Sequence, residues 1–113
     1  MKVACIQLSS GENYNKNFID IIKYLNQAVK KKADLIITPE TSSLISSNQE
    51  HLHKYSFEMN KDPIIKMIKK ISKKNKKWII IGSMCVKVKN KLRNRSILIG
   101  PKGKIETYYD KIN

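Results

Sequence analysis

Two charged side chains in this sequence are candidates for catalysis, and each stands where a regular element ends. The first is Glu40, which closes the run Ala33-Asp34-Leu35-Ile36-Ile37-Thr38-Pro39-Glu40. Leu35, Ile36 and Ile37 form a short apolar stretch with β-branched residues, which predicts a buried strand, and Pro39 cannot continue a ladder. Glu40 therefore falls just past the carboxyl end of that strand, where open α/β sheets bind ligands and carry catalytic groups. The second is Lys111, in Tyr108-Tyr109-Asp110-Lys111-Ile112-Asn113. Taken alone, neither is decisive, since most acids in loops are solvated and Lys111 is one of twenty-one lysines.

The elements that would position them alternate. A first strand over Lys2 to Leu8 ends at Ser9-Ser10-Gly11. Phe18, Ile21, Ile22, Leu25, Ala28 and Val29 then recur at helical spacing behind a cap at Asn13 or Asn15. The second strand runs from Asp34 to Thr38. Thr41 to Lys61 has no clear period and reads as a loop or broken helix over the site. Asp62-Pro63 opens a second long helix, as a cap followed by proline in the first helical position, with Ile64, Ile65, Ile68 and Ile71 on one face. Trp78 to Met84 is nearly continuous in apolar residues and predicts a third strand buried on both sides. Val86 and Val88 extend it or start another. After a turn at Asn90-Lys91, a strand over Asn94 to Ile99 turns at Gly100-Pro101-Lys102-Gly103 into Lys104 to Tyr109, with Lys111 just beyond and one of Tyr108 and Tyr109 packed inward. The pattern implies an α/β fold with a mixed sheet and two helices on one face.

Composition bounds the rest. At 113 residues and 41% hydrophobic content, the chain makes one domain at most. No apolar run is long enough to span a bilayer and the amino terminus lacks the apolar core of a signal peptide, so the expected compartment is the cytoplasm, without membrane association. Cys5 and Cys85 are far apart, have no metal-ligand spacing, and read as small buried hydrophobes rather than as a disulfide framework or a zinc site. His51 and His53 read as surface residues. The net charge of +14 raises nucleic-acid binding, and Lys61 to Lys77 carries eight lysines against one acid, Asp62. Only two of the basic residues are arginines, however, and aromatic interleaving is absent, which disfavours base or bidentate phosphate recognition. Lys, Asn and Ile together supply forty-nine residues, a bias that AT-rich coding would give.

Five stretches, in order, resemble the landmarks of the carbon-nitrogen hydrolase (nitrilase) superfamily: Lys2-Val3-Ala4-Cys5-Ile6-Gln7-Leu8, Ala33 to Glu40, Trp78-Ile79-Ile80-Ile81-Gly82-Ser83, Asn94-Arg95-Ser96 and Tyr109-Asp110-Lys111-Ile112. The pairing of the last two is most similar to Nit-type amidases, the subgroup that includes deaminated glutathione amidase and omega-amidase. The resemblance covers residues 1–113 but only the amino-terminal part of that family's domain. It implies the amino-terminal half of a nitrilase-like αββα sandwich. It also implies a Glu-Lys-Cys triad that hydrolyses amides or nitriles through a covalent acyl or thioimidate enzyme, without a cofactor or metal. By motif, Glu40 matches the general base and Lys111 the cation that stabilises the oxyanion. The family's nucleophilic cysteine follows the lysine, beyond residue 113. Neither Cys5 nor Cys85 lies in the sharp turn that presents it. Asn113 stands where similar amidases have His.

Two functions from different classes follow. One is a partial amidase, a truncated or split form inactive alone, which would act on a small-molecule amide when completed by a Cys-bearing fragment and would self-associate without it. The other is a non-catalytic basic module binding an acidic partner or nucleic acid. The presence of both Glu40 and Lys111 favours the first, because a binding module needs neither.

Overall fold

A computed structural model describes residues 1–8, 11–40 and 46–111. Ser9, Ser10, the opening of the Thr41 to Lys61 segment (residues 41–45), Ile112 and Asn113 lie outside the described residues. The elements are β1 (Val3–Cys5), α1 (Tyr14–Lys30), β2 (Leu35–Thr38), α2 (Gln49–Lys54), α3 (Pro63–Asn75), β3 (Trp78–Val88), β4 (Lys91–Ile99) and β5 (Ile105–Asp110). The five strands form one sheet in sequence order. β1, β2 and β3 run parallel, while β4 is antiparallel to β3 and β5 to β4.

Both long helices lie on the same face of this sheet: α1 packs on β2, α3 on β3, and the helices touch each other. Their stripes are the predicted ones. Ile21, Leu25 and Ala28 of α1 meet Ile64, Ile65, Ile68 and Ile71 of α3 over Ile36, Ile79, Ile81, Met84, Val86, Ile97 and Ile99 of the sheet. Asn13, not Asn15, caps α1 by accepting from the Lys16 backbone N–H at 3.0 Å. Asp62 caps α3, its Oδ1 accepting from Ile64 and Ile65 N–H at 2.8 and 3.0 Å. Lys66, Lys70, Lys73 and Lys74 of α3 are exposed, as a solvated helix face requires.

Several expectations are corrected. β1 is three residues long rather than seven, because its only partner among the described residues is the four-residue β2. The β3–β4 turn centres on Lys89 and Asn90, both with positive φ (51° and 66°), so β4 begins at Lys91 and not at Asn94. Two successive left-handed residues are what a tight hairpin turn matched to strand twist demands. The described part of the 41–61 segment fits the broken-helix alternative: it holds the six-residue α2, capped by Asn48, and Phe57 bridges Val86 of β3.

The largest correction concerns burial. Among the described residues of β3 one face is the more deeply covered: Ile79 and Ile81 are fully buried, whereas Trp78 is 42% exposed and Ile80 and Gly82 are half-buried. On that same open face, Val3 and Cys5 of β1 are exposed, so Cys5 is not a buried hydrophobe. Tyr108 and Tyr109 are both more than half exposed, because β5 is an edge strand. Cys85 is half-buried, closer to expectation. Among the described residues no helix is long and apolar enough to cross a membrane.

Candidate functional site

Strand direction brings the two candidate residues to one end of the sheet. β4 reverses against β3 and β5 reverses again, so β5 points the same way as β2. Glu40 follows β2 and Lys111 follows β5 at their carboxyl ends. Strands β2 and β5 are still three interstrand spacings apart, roughly 14 Å. The gap is closed because the chain leaving β2 leans across β3 at Gly82. A Cβ on Gly82 would stand 2.3 Å from the Thr38 carbonyl oxygen and 2.7 Å from the Pro39 carbonyl, so this approach requires glycine. Gly82 N–H also donates to Thr38 Oγ1 at 3.2 Å, and the Ser96 hydroxyl donates to the Gly82 carbonyl at 2.5 Å. Here the β3–β4 ladder shifts register between Ile81 and Met84, a bulge that re-aims the backbone beside the site.

Glu40 and Lys111, 71 positions apart, meet there: Lys111 Nζ donates to Glu40 Oε1 in a short ion pair. The Glu40 side chain is 74% exposed and that of Lys111 30%, so the cation is held in the sheet end while the carboxylate faces open space. Lys111 is further fixed by its backbone N–H, which donates to the Asn94 carbonyl at 2.8 Å.

One register step inward, Arg95 pairs with Asp110 across β4 and β5. Arg95 Nη2 donates to Asp110 Oδ2 at 2.9 Å and Nε to Oδ1 at 2.5 Å, a bidentate fork. These hydrogen bonds hold the Asp110 carboxyl below its ordinary value of 3.8 and push the guanidinium up. Both residues stand in the landmark stretches Asn94-Arg95-Ser96 and Tyr109-Asp110-Lys111-Ile112, but the sequence alone assigns neither a role. The available signal was chemical: an arginine among twenty-one lysines marks a place where a planar fork is needed.

The other titratable groups stand elsewhere. Cys85 lies in register with Asn94, and burial pushes its thiol up despite the Ser56 hydrogen bond, away from the thiolate that nucleophilic attack needs. Cys5 sits on β1 beside Ile37. His51 contacts the Glu12 carbonyl through Nε2 at 2.7 Å and packs against Tyr55, a contact between α2 and the start of α1. Among the described residues no three His, Cys, Asp or Glu side chains are grouped to hold a metal ion.

The chain belongs to the carbon-nitrogen hydrolase family, whose sequence profile matches residues 2–113. Its relatives include the deaminated glutathione amidase of Yersinia enterocolitica, 29% identical over 98% of this chain and 39% of that protein. The probable hydrolase nit2 of Schizosaccharomyces pombe is 33% identical over 96% of this chain and 40% of that protein. The chain thus spans about two fifths of these relatives. Among solved structures, the NitFhit protein of C. elegans superposes with a TM-score of 0.85 at 19% identity, over 98% of this chain and 27% of that one. An N-terminal amidase with a Gln-Val peptide gives 0.83 at 24%, over 98% and 28%. The fold is the amino-terminal half of a nitrilase-like αββα sandwich, one mixed sheet with two helices on one face.

Proposed function

We propose that this chain carries the base and the cation of a Glu-Lys-Cys amidase that cleaves non-peptide C–N bonds of small amides, with the thiol supplied by sequence outside these 113 residues. The observation that carries the reading is the Glu40–Lys111 ion pair, formed at the carboxyl ends of two strands by residues 71 positions apart. A surface pair of this kind adds little to stability, so its placement at a ligand-binding edge argues for chemistry.

In the proposed reaction Glu40 accepts the proton of the incoming thiol, and the thiolate attacks the amide carbonyl carbon. The Lys111 ammonium stabilises the oxyanion that develops. The tetrahedral intermediate collapses, the C–N bond breaks, and the proton held by Glu40 leaves with the amine. Glu40 then takes a proton from water as the hydroxide attacks the thioester, the C–S bond breaks, and Glu40 returns the proton to the departing thiolate, releasing the acid and restoring the thiol. The substrate class includes amides such as deaminated glutathione, for which the Yersinia relative is named.

The test is complementation. The chain is mixed with the carboxyl-terminal part of a related amidase bearing the cysteine, and ammonia release is followed. Turnover is expected only in the mixture and should fall at least a hundredfold on Glu40→Gln or Lys111→Ala, the scale on which single acid-base and oxyanion groups act. Hydrolysis by the 113-residue chain alone, abolished by Cys85→Ala or Cys5→Ala, would overturn the proposal.

A further inference from the structure

Lys111 is the first residue past an edge strand, a position where backbone frays and where a four-carbon side chain has many rotamers to lose. Something must hold the end of β5 for the ammonium to stay on Glu40. The backbone hydrogen bond from Lys111 to Asn94 is one tether. The residue immediately before Lys111 supplies a stronger one. Asp110 is gripped bidentately by Arg95, whose side chain is only 8% exposed. The guanidinium lies 4.0 Å from the centroid of the Tyr108 ring, and Nη1 is 3.6 Å from Met59 Sδ. The fork is therefore packed between a ring of β5 and a side chain from the segment after α2, and its buried stem is anchored on β4 rather than on the strand end that it grips. A lysine at this position would offer one point charge and no planar face.

We propose that Arg95 and Asp110 are positioning residues for Lys111: their ion pair across β4 and β5 locks the end of β5 so that the ammonium is presented to Glu40. The inference rests on the reading of Glu40 and Lys111 as the catalytic pair. Neither Arg95 nor Asp110 touches the substrate site in this role; they act through the backbone of β5.

The test is trace acetylation of the 113-residue chain with acetic anhydride, read lysine by lysine by mass spectrometry, with the exposed Lys66, Lys70 and Lys73 of α3 as internal references. An ammonium held on a carboxylate acylates more slowly than a free one, so Lys111 should lag behind the references. Glu40→Gln should speed Lys111 several-fold. Arg95→Met and Asp110→Ala should speed it by a comparable factor with the references unchanged, and Arg95→Lys should lie between. If Glu40→Gln leaves Lys111 unaffected, the catalytic-pair reading itself fails. If Glu40→Gln speeds Lys111 but Asp110→Ala and Arg95→Met do not, the pair reading stands and the positioning role is overturned. Acceleration of every lysine in both Arg95→Met and Asp110→Ala would make the clamp a general stability element and would also overturn it.

Discussion

At Gly82 the site depends on a missing side chain. The Thr38 and Pro39 carbonyls occupy the space a methyl would need, so Gly82→Ala must push the Pro39-Glu40 backbone away from β3 or strain β3 itself. The expected cost is about 1–3 kcal/mol, as for other overpacked positions, together with loss of the Glu40–Lys111 contact. Gly11 provides the control, because nothing stands within 4 Å of its Cβ position and Gly11→Ala should change stability by less than about 0.5 kcal/mol. Urea midpoints of the two variants check the pair; equal midpoints would show that the close approach at Gly82 does not constrain the fold. The same residue shows what a sequence conceals. Glu40 and Lys111 were singled out by their match to the family's motifs, while the strand-ending proline and the hairpin told only that each stands past the end of a strand. Gly82, Arg95 and Asp110 acquire meaning only through register: which carbonyl crosses Gly82, and which carboxylate stands opposite Arg95, depends on a bulge at Ile81/Met84 that no periodicity announces.

Among the elements, α1 and α3 were legible in their buried faces and near their starts, because a cap and an apolar stripe agree at each. The strands were legible in order but not in extent. A strand's length is set by its neighbour as much as by its own residues, and so β1 stops with β2 while β3 runs on to Val88 against β4. The cap of α3 carries a prediction of its own. Asp62 is 1% exposed, and burial, opposed by its hydrogen bonds from Ile65 and Ile64 N–H, pushes its carboxyl up to about 6 from 3.8. A carboxyl raised on folding stabilises the fold while protonated. Its contribution is fully present below 3.8 and is lost as pH rises through about 6. A shift of two units corresponds to roughly 3 kcal/mol. Asn also caps helices through a side-chain oxygen and does not ionise. Asp62→Asn should therefore gain stability relative to the parent chain between pH 4 and 7, by up to roughly that amount. Thermal melts of both proteins across this range measure the difference. A difference constant with pH would show that Asp62 titrates alike in folded and unfolded chains. The neighbouring Tyr14 hydroxyl, buried without a hydrogen-bond partner among the described residues and pushed up by burial and by Asp62, should relax in the same variant.

At the scale of the whole molecule, the sequence and the described structure disagree in one instructive way. Trp78 to Met84 reads as a strand buried on both faces, and Leu35 to Ile37 reads the same, yet no described residue covers the face opposite the helices. Met1, Leu35, Trp78, Ile80 and Leu98 line an open apolar depression of about 340 Å³ on that face, with Val3 exposed nearby. Apolar residues on both sides of a parallel strand are what a sheet with a layer on each side requires. Solvent left against such a face costs about 25 cal/mol for each Å² of apolar surface, so the 113-residue chain should cover it by self-association. Charge opposes this, because at +14 two copies repel, and added salt screens that repulsion while leaving apolar contact intact. Association should therefore strengthen from low to moderate salt, the reverse of what pairing between opposite charges would give. Sedimentation at several protein concentrations and salt levels should show a mass that rises with both. Leu98→Lys, which puts a charge into the lining of the depression at a residue outside the buried core, should return the chain to monomer with its helix content unchanged. A mass that stays monomeric across the series, or a Leu98→Lys chain that associates as the parent does, would mean that the open face is not the surface that drives assembly.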